Sequence, residues 1–136
     1  MKRFLPFILI LIFFFSCKKF VQQQEENAVI KIMTSGVWYV QTYNQNDTSI
    51  ATLFAGYSFQ FESDGTVLAI KDSATVATGT WVGNVDNETI NSNFPGAAIP
   101  LDKLNSLWKI TDSSPTSVVA NTTIGTDMEF LVLLKQ

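Results

Sequence analysis

Apolar residues follow a helical spacing up to residue 35 and a strand-like spacing after it. Between Glu25 and Ser35 they recur every three or four positions, acidic residues occupy the first turn, and Gly36 follows directly. Acidic side chains favour a helix N-terminus, and glycine favours the left-handed conformation that ends a helix. The pattern therefore predicts one short helix that stops at Gly36. Its apolar face carries Ala28, Val29, Ile32 and Met33.

Beyond Gly36, apolar and polar residues alternate in short segments that are rich in β-branched and aromatic side chains. Clusters of Gly, Asn, Asp and Ser separate these segments, which is typical of strands joined by turns. Eight strands are predicted: Val37 to Tyr43, Tyr57 to Glu62, Thr66 to Lys71, Ala77 to Val82, Glu88 to Ser92, Ser106 to Thr111, Ser117 to Ala120 and Met128 to Lys135.

The connections between the strands indicate how they are arranged. Most are short, and Ser63-Asp64-Gly65 is the clearest hairpin signal, because glycine accepts the positive φ of a tight turn. Short strands joined by hairpins predict an all-β, up-and-down antiparallel meander that closes into a barrel or folds into a sandwich. Eight strands make a barrel whose interior is filled by side chains or holds one small ligand.

The last strand is apolar on both faces from Phe130 to Leu134. The barrel interior can cover only one of these faces. We therefore expect the helix at Ala28 to Met33 to cover the other.

The first 17 residues have the pattern of an export signal. Met1-Lys2-Arg3 is basic, and the apolar run from Phe4 to Phe15 spans 12 residues, fewer than the roughly 18 that cross a bilayer as a helix. The run ends in Phe14-Phe15-Ser16-Cys17, which resembles a bacterial lipobox with Phe14 where the pattern prefers Leu. We expect a lipoprotein signal peptide over 1–16 and acylation of Cys17. The alternative is a soluble secreted protein with an incidental free thiol.

The segment after the cysteine is polar and unpatterned, so 17–27 is expected to be a tether and 28–136 the folded domain. Surface-exported lipoproteins of the Bacteroidota carry acidic residues directly after the cysteine, whereas this chain has Lys18 and Lys19. That difference favours the periplasmic face of the outer membrane over the cell surface.

Composition excludes several classes of function. Lys2 and Arg3 leave with the signal peptide, so the 9 basic side chains become 7 against 12 acidic ones. Such an acidic chain is a poor partner for nucleic acid. A single Cys and no His exclude an internal disulfide, the His-containing catalytic triads and His-ligated metal sites.

Several short motifs resemble those of lipocalins. Gly36-Val37-Trp38, which opens the first strand after a helix, resembles the Gly-x-Trp element whose Trp packs across the closed end of the barrel, and Gly79-Thr80-Trp81 repeats its spacing. With the region from Phe59 to Val67 and with Trp108-Lys109-Ile110, the domain resembles small lipocalin-like lipoproteins of the Bacteroidota. The resemblance implies an eight-stranded lipocalin-like barrel but no particular ligand, because other lipocalin elements are absent. We expect Trp38, Phe59, Phe61, Trp81 and Trp108 in the barrel core.

No arrangement typical of an enzyme appears in the sequence. The carboxylate pairs Glu62 with Asp64 and Asp86 with Glu88 flank predicted turns, where solvated loops are the simpler explanation. Asp86, Glu88 or Asp102 could hold a hard cation, yet no calcium-loop spacing is present. We expect no catalytic residue, no cofactor and no metal. Asp72-Ser73-Ala74 resembles the O-glycan acceptor of exported Bacteroidota proteins, which makes Ser73 a candidate for modification.

Two functions are compatible with the sequence. In the first, the longest loops, Asn44 to Gly56 and Asn93 to Asn105, frame an open barrel end that binds a small apolar or amphipathic molecule. Its rim would be formed by Leu53, Phe54, Phe94 and Ile99, because isolated loop aromatics are common at functional rims. In the second, the interior is filled and the same rim docks on another envelope protein. The volume of the interior distinguishes the two.

Overall fold

The computed structural model describes residues 30–136. The predicted signal peptide, the tether, Cys17 and the first part of the predicted helix lie outside the described residues. Residues 30–34 are helical and are named α1, and a bend at Ser35 and Gly36 leads into the first strand. Gly36 has a φ of +137°. This value requires glycine but lies outside the left-handed helical region that the sequence predicted for a cap.

Nine strands follow α1. They are β1 (Trp38–Gln45), β2 (Thr48–Ser49), β3 (Tyr57–Phe61), β4 (Thr66–Lys71), β5 (Ala74–Asn84), β6 (Thr89–Asn93), β7 (Ser106–Ser114), β8 (Ser117–Ile124) and β9 (Asp127–Lys135). All eight predicted strands are present, several of them longer than the sequence indicated. The additional strand, β2, has two residues that pair with the end of β1, too few to show an alternating pattern.

The sheet is an antiparallel meander that closes on itself. Strands β3 to β9 pair in sequence order, β3 pairs with β1, and β1 pairs with β9 from Trp38↔Lys135 to Gln45↔Glu129. The structure is therefore a closed eight-stranded barrel and not a sandwich, with β2 as a short addition at one end.

The two ends of the barrel are different. The α1 end holds α1 and the turns at 62–65, 85–88 and 115–116, whereas the lid end holds the longer connections at 46–56 and 94–105. We use "lid" for residues 94–105. A short 3-10 helix, Leu101–Leu104, lies within the lid, and a second one, Ala51–Phe54, precedes β3.

Met33 and Trp38 close the α1 end. Met33 is 1% exposed and Trp38 is fully buried, and the Trp38 indole N–H donates to the Met33 carbonyl at 2.9 Å. Trp38 lies in the core at the α1 end, although the structure closes both ends of the barrel. The expected role of the helix is wrong in one respect, because Met33 enters the barrel interior while Phe130, on the outer face of β9, stays 38% exposed.

Aromatic and aliphatic side chains close the lid end. Phe54 stacks on Tyr43 with ring centroids 5.5 Å apart, and Leu101 and Leu104 of the lid are buried. The side chain of Asn105 holds the lid in place: its carbonyl oxygen accepts from the Phe94 backbone N–H at 2.6 Å and its amide donates to the Phe94 carbonyl at 3.1 Å.

Gly79 on β5 makes room for the ring of Phe94. A Cβ at position 79 would lie 2.8 Å from Phe94 Cδ1 and would also overlap the Asn93 carbonyl oxygen. Phe94 is 1% exposed and packs beside Phe59 with ring centroids 6.2 Å apart. Gly79 thus leaves space for the Phe94 ring, and Trp81, two residues later, places a second aromatic ring in the core.

We predict that Phe94→Ala destabilises the protein by about 3–5 kcal/mol, the usual cost of removing a fully packed Phe ring. Urea unfolding followed by circular dichroism measures this loss. Ile99→Ala serves as the control, because Ile99 belongs to the same lid but is 64% exposed, and it should change stability little. A loss of less than about 1 kcal/mol for Phe94→Ala would show that the ring does not hold the lid.

Candidate functional site

The barrel interior contains a small apolar cavity. Its volume is about 40 Å³, whereas pockets for small molecules measure roughly 300–1,000 Å³. Ser92 contributes a hydroxyl, and the other lining side chains are aliphatic, aromatic or thioether groups. In this conformation the interior is filled by the protein's own side chains.

The five aromatic residues expected in the core, Trp38, Phe59, Phe61, Trp81 and Trp108, are all buried. Each indole N–H has a backbone acceptor: Trp81 donates to the Glu62 carbonyl at 2.9 Å and Trp108 to the Leu104 carbonyl at 3.0 Å, as Trp38 does to Met33. Buried indoles normally require such a partner. These bonds connect the core to a hairpin, to the lid and to α1.

The structure corrects the rim that the sequence suggested. Phe54 is 3% exposed and Phe94 is 1% exposed, so both rings belong to the core and hold their loops against the barrel. Leu53 and Ile99 are 45% and 64% exposed and lie on the outside of a closed end. The two long loops therefore cover the barrel instead of framing an opening.

A groove of about 430 Å³ opens at the α1 end, between α1 and the turns of β5–β6 and β7–β8. Met33, Ile110 and Val118 line both this groove and the interior cavity. These three side chains thus form the wall between the two spaces. No sequence motif pointed to the groove, since it is formed by elements far apart in the chain.

The rim of the groove is polar and carries acidic groups. Glu88 and Asp112 are the charged residues among those that line it, beside Asn84, Thr89, Thr111 and Ser113. Glu88 Oε2 lies 3.5 Å from Lys109 Nζ, with both side chains exposed. Asp112 accepts a hydrogen bond from the neighbouring Ser113 backbone N–H at 3.0 Å.

A buried polar layer lies beneath the lid. Tyr43 is fully buried and its hydroxyl donates to the Lys103 carbonyl at 2.7 Å. Glu129 is 2% exposed and its Oε2 has no hydrogen-bond partner within the described residues. Oδ1 of Asp102 is also buried and has no hydrogen-bond partner within the described residues. Lys103 Nζ contacts Gln45 Oε1 at 3.5 Å.

Burial controls the protonation of this layer. Desolvation raises the pKa of Glu129 above its ordinary value, and the charge of Asp127 adds to this effect, while the charge of Lys103 opposes it. Burial also raises the pKa of Tyr43, as do the nearby charges of Glu129 and Asp102. The pKa of Asp127, which is half-buried, is lowered by hydrogen bonds from Asn46 and Gln45.

The remaining candidates are surface groups. Asp72 and Ser73 form the two-residue turn between β4 and β5, with φ of +51° and +69°. Ser73 is exposed, and its modification stays a prediction.

Within residues 30–136, no cluster of three or more His, Cys, Asp or Glu is placed to hold a metal ion. The same residues include no helix with the length and apolarity needed to cross a membrane.

We predict that Glu129→Gln stabilises the protein at neutral pH. Glu129 has a higher pKa in the folded protein than in the unfolded protein. The resulting stabilisation is fully present at pH values below the unfolded-state pKa and is lost as the pH rises through the folded-state pKa. Urea midpoints from pH 4 to 8 should therefore decline less for Glu129→Gln than for the unchanged protein. Glu88→Gln, at an exposed position, is the control. Parallel pH profiles for Glu129→Gln and the unchanged chain would contradict the prediction.

Comparison with known proteins supports the fold. No protein-family model matches the chain, and no curated protein matches it. A crystal structure of a DUF4847 family protein from Bacteroides vulgatus ATCC 8482 is similar, with a TM-score of 0.55 and 17% sequence identity over 79% of this chain and 99% of that one. At this identity the likeness establishes a shared β-barrel fold.

Proposed function

We propose that this protein is a lipid-anchored protein of the cell envelope that binds a small apolar or amphipathic molecule in the groove at the α1 end of its barrel. The observation that carries the proposal is the shared wall. A groove of about 430 Å³ is separated from an apolar cavity by Met33, Ile110 and Val118. Its size falls within the range of small-molecule sites, and its combination of apolar floor and polar rim suits an amphipathic ligand.

The position of the groove fits an anchor at Cys17. Twelve residues, 18–29, separate the acylated position from α1, and a fully extended segment of that length spans at most roughly 43 Å. Because α1 is the first described element after Cys17, the anchor would join the described domain at its α1 end. On this proposal the groove lies close to the membrane, facing the periplasm from the outer membrane.

The anchor itself is tested by Cys17→Ser. We expect the unchanged protein, expressed in a bacterium that processes lipoproteins, to lose 1–16 and to enter the detergent phase on Triton X-114 partitioning. A lipid supplies this partitioning, because each buried methylene contributes about 0.8 kcal/mol. Cys17→Ser should stay in the aqueous phase. A Cys17→Ser protein of mature size that still entered the detergent phase would overturn the anchor.

The groove is tested by filling it. Thr111 is exposed and lines the groove, whereas Thr78 is exposed on β5 and lies outside the groove lining. We expect Thr111→Trp to weaken binding of the neutral linear probe dodecanol, measured by equilibrium dialysis, at least tenfold, and Thr78→Trp to leave it unchanged. Equal probe binding by both variants would place the site elsewhere.

A second function remains a candidate because the interior cavity measures only about 40 Å³. A filled barrel would act through its surface by docking on another envelope protein. The exposed side chains of Val82 (65%) and Leu107 (57%) lie in one row across β5, β6 and β7, through the pairs Val82↔Asn91 and Asn91↔Leu107. Purification of the full chain from its native membrane separates the functions: a bound small molecule supports the groove, and a stoichiometric protein partner supports docking.

A further inference from the structure

We infer that the groove selects a ligand with one unbranched apolar chain and a positively charged or neutral polar head, and that it disfavours a carboxylate head. This inference rests on the proposed function and concerns the same site. It joins two features of the α1 end: the wall that Met33 forms and the sign of the charges at the rim.

The apolar part of the ligand is defined by what it must displace. Met33 is 1% exposed and lies between the groove and the cavity. Methionine is unbranched and has three rotatable bonds, so it can be displaced and replaced more readily than a branched or aromatic side chain. A linear chain that took the place of the Met33 side chain would extend into the 40 Å³ cavity beside Trp108. A branched or fused-ring molecule would need wider changes in a closely packed core.

The contacts that hold α1 allow such a displacement. The described backbone of α1 is tied to the barrel by the Trp38 N–H bond to the Met33 carbonyl, and the adjoining Ser35 hydroxyl accepts from Lys135 Nζ at 2.9 Å. Both bonds involve the backbone or the bend after α1. The Met33 side chain can therefore rotate outward while these two bonds stay in place.

The head of the ligand is defined by the rim. Glu88 and Asp112 are acidic, and the groove lining contains no Lys or Arg. The charge of Glu88 is partly matched by Lys109 at 3.5 Å, which leaves Asp112 as the acidic group without an ion pair among the described residues. An ammonium head would be attracted to this rim and a carboxylate head repelled, with strengths that fall as salt screens them.

The experiment compares three amphiphiles of equal chain length with the full-length protein at pH 7 and low salt. Binding of dodecylamine, dodecanol and dodecanoate, each below its aggregation concentration, is measured by equilibrium dialysis. We expect dodecylamine to bind roughly tenfold more tightly than dodecanoate, with dodecanol between them, and the ratio to fall towards one in 0.5 M salt. Equal or tighter binding of dodecanoate overturns the inference and leaves the proposed function standing. Failure of all three to bind overturns the proposed function.

Two variants locate the charge selection. Asp112→Asn should reduce the preference for dodecylamine about fivefold, because it removes one unit charge from the rim. Asp72→Asn is the matched control, since Asp72 lies in the turn between β4 and β5 at the opposite end of the barrel, and it should leave the ratio unchanged. If the ratio of dodecylamine to dodecanoate affinity is unchanged in Asp112→Asn, or changes equally in both variants, the rim charge does not select the head group.

A bromine label tests where the chain lies. Bromine quenches indole fluorescence on close approach, and Trp108 lines the cavity whereas Trp81 lies outside its lining. We expect 12-bromododecylamine to quench Trp108 and, beside Met33, Trp38, so Trp108→Phe should lose the Trp108 part of the quenching while still binding the ligand. Fractional quenching that is unchanged in Trp108→Phe would show that the end of the chain does not reach the cavity.

Discussion

The pairing of β1 with β9 is the constraint on which the rest of this structure depends. It runs from Trp38↔Lys135 to Gln45↔Glu129 and turns a meander into a closed barrel with an interior of fixed size. Once the sheet is closed, the interior must be filled by inward side chains or must hold a ligand. Here the inward residues fill most of it, and groups from outside the strands fill the two ends.

The two ends are filled by different chemistry. At the α1 end the flexible Met33 side chain, together with Ile110 and Val118, separates the core from an open groove. At the lid end the Phe94 ring packs into the space above Gly79, and the Asn105 side chain fixes the backbone beside it. Beneath that lid lies Glu129, whose buried carboxylate costs stability when it is charged.

This asymmetry places the proposed binding site at the end opposite to the long loops. Long loops that carry isolated aromatic residues often present them to partners, but a ring that finds a gap in the core is more stable there. Burial of a Phe ring is worth about 1.5–3 kcal/mol relative to exposure, which outweighs the freedom that the loop loses at a single residue. The groove, in contrast, owes its polar rim to turn residues that remain in solvent.

The sequence alone determined the local features of this protein. Alternation of apolar and polar residues located all eight barrel strands, Ser63-Asp64-Gly65 marked a hairpin, and the core positions of Trp38, Phe59, Phe61, Trp81 and Trp108 followed from large aromatic residues within those strands. Such features depend on neighbours two to four residues away. The tertiary structure decided the rest, because each remaining feature joins residues far apart in the chain. The burial of Phe94 depends on the space above Gly79. The burial of Glu129 depends on the register of β9, because the outward residues Phe130 and Val132 of that strand are also apolar. The groove exists only where α1 meets two distant hairpins.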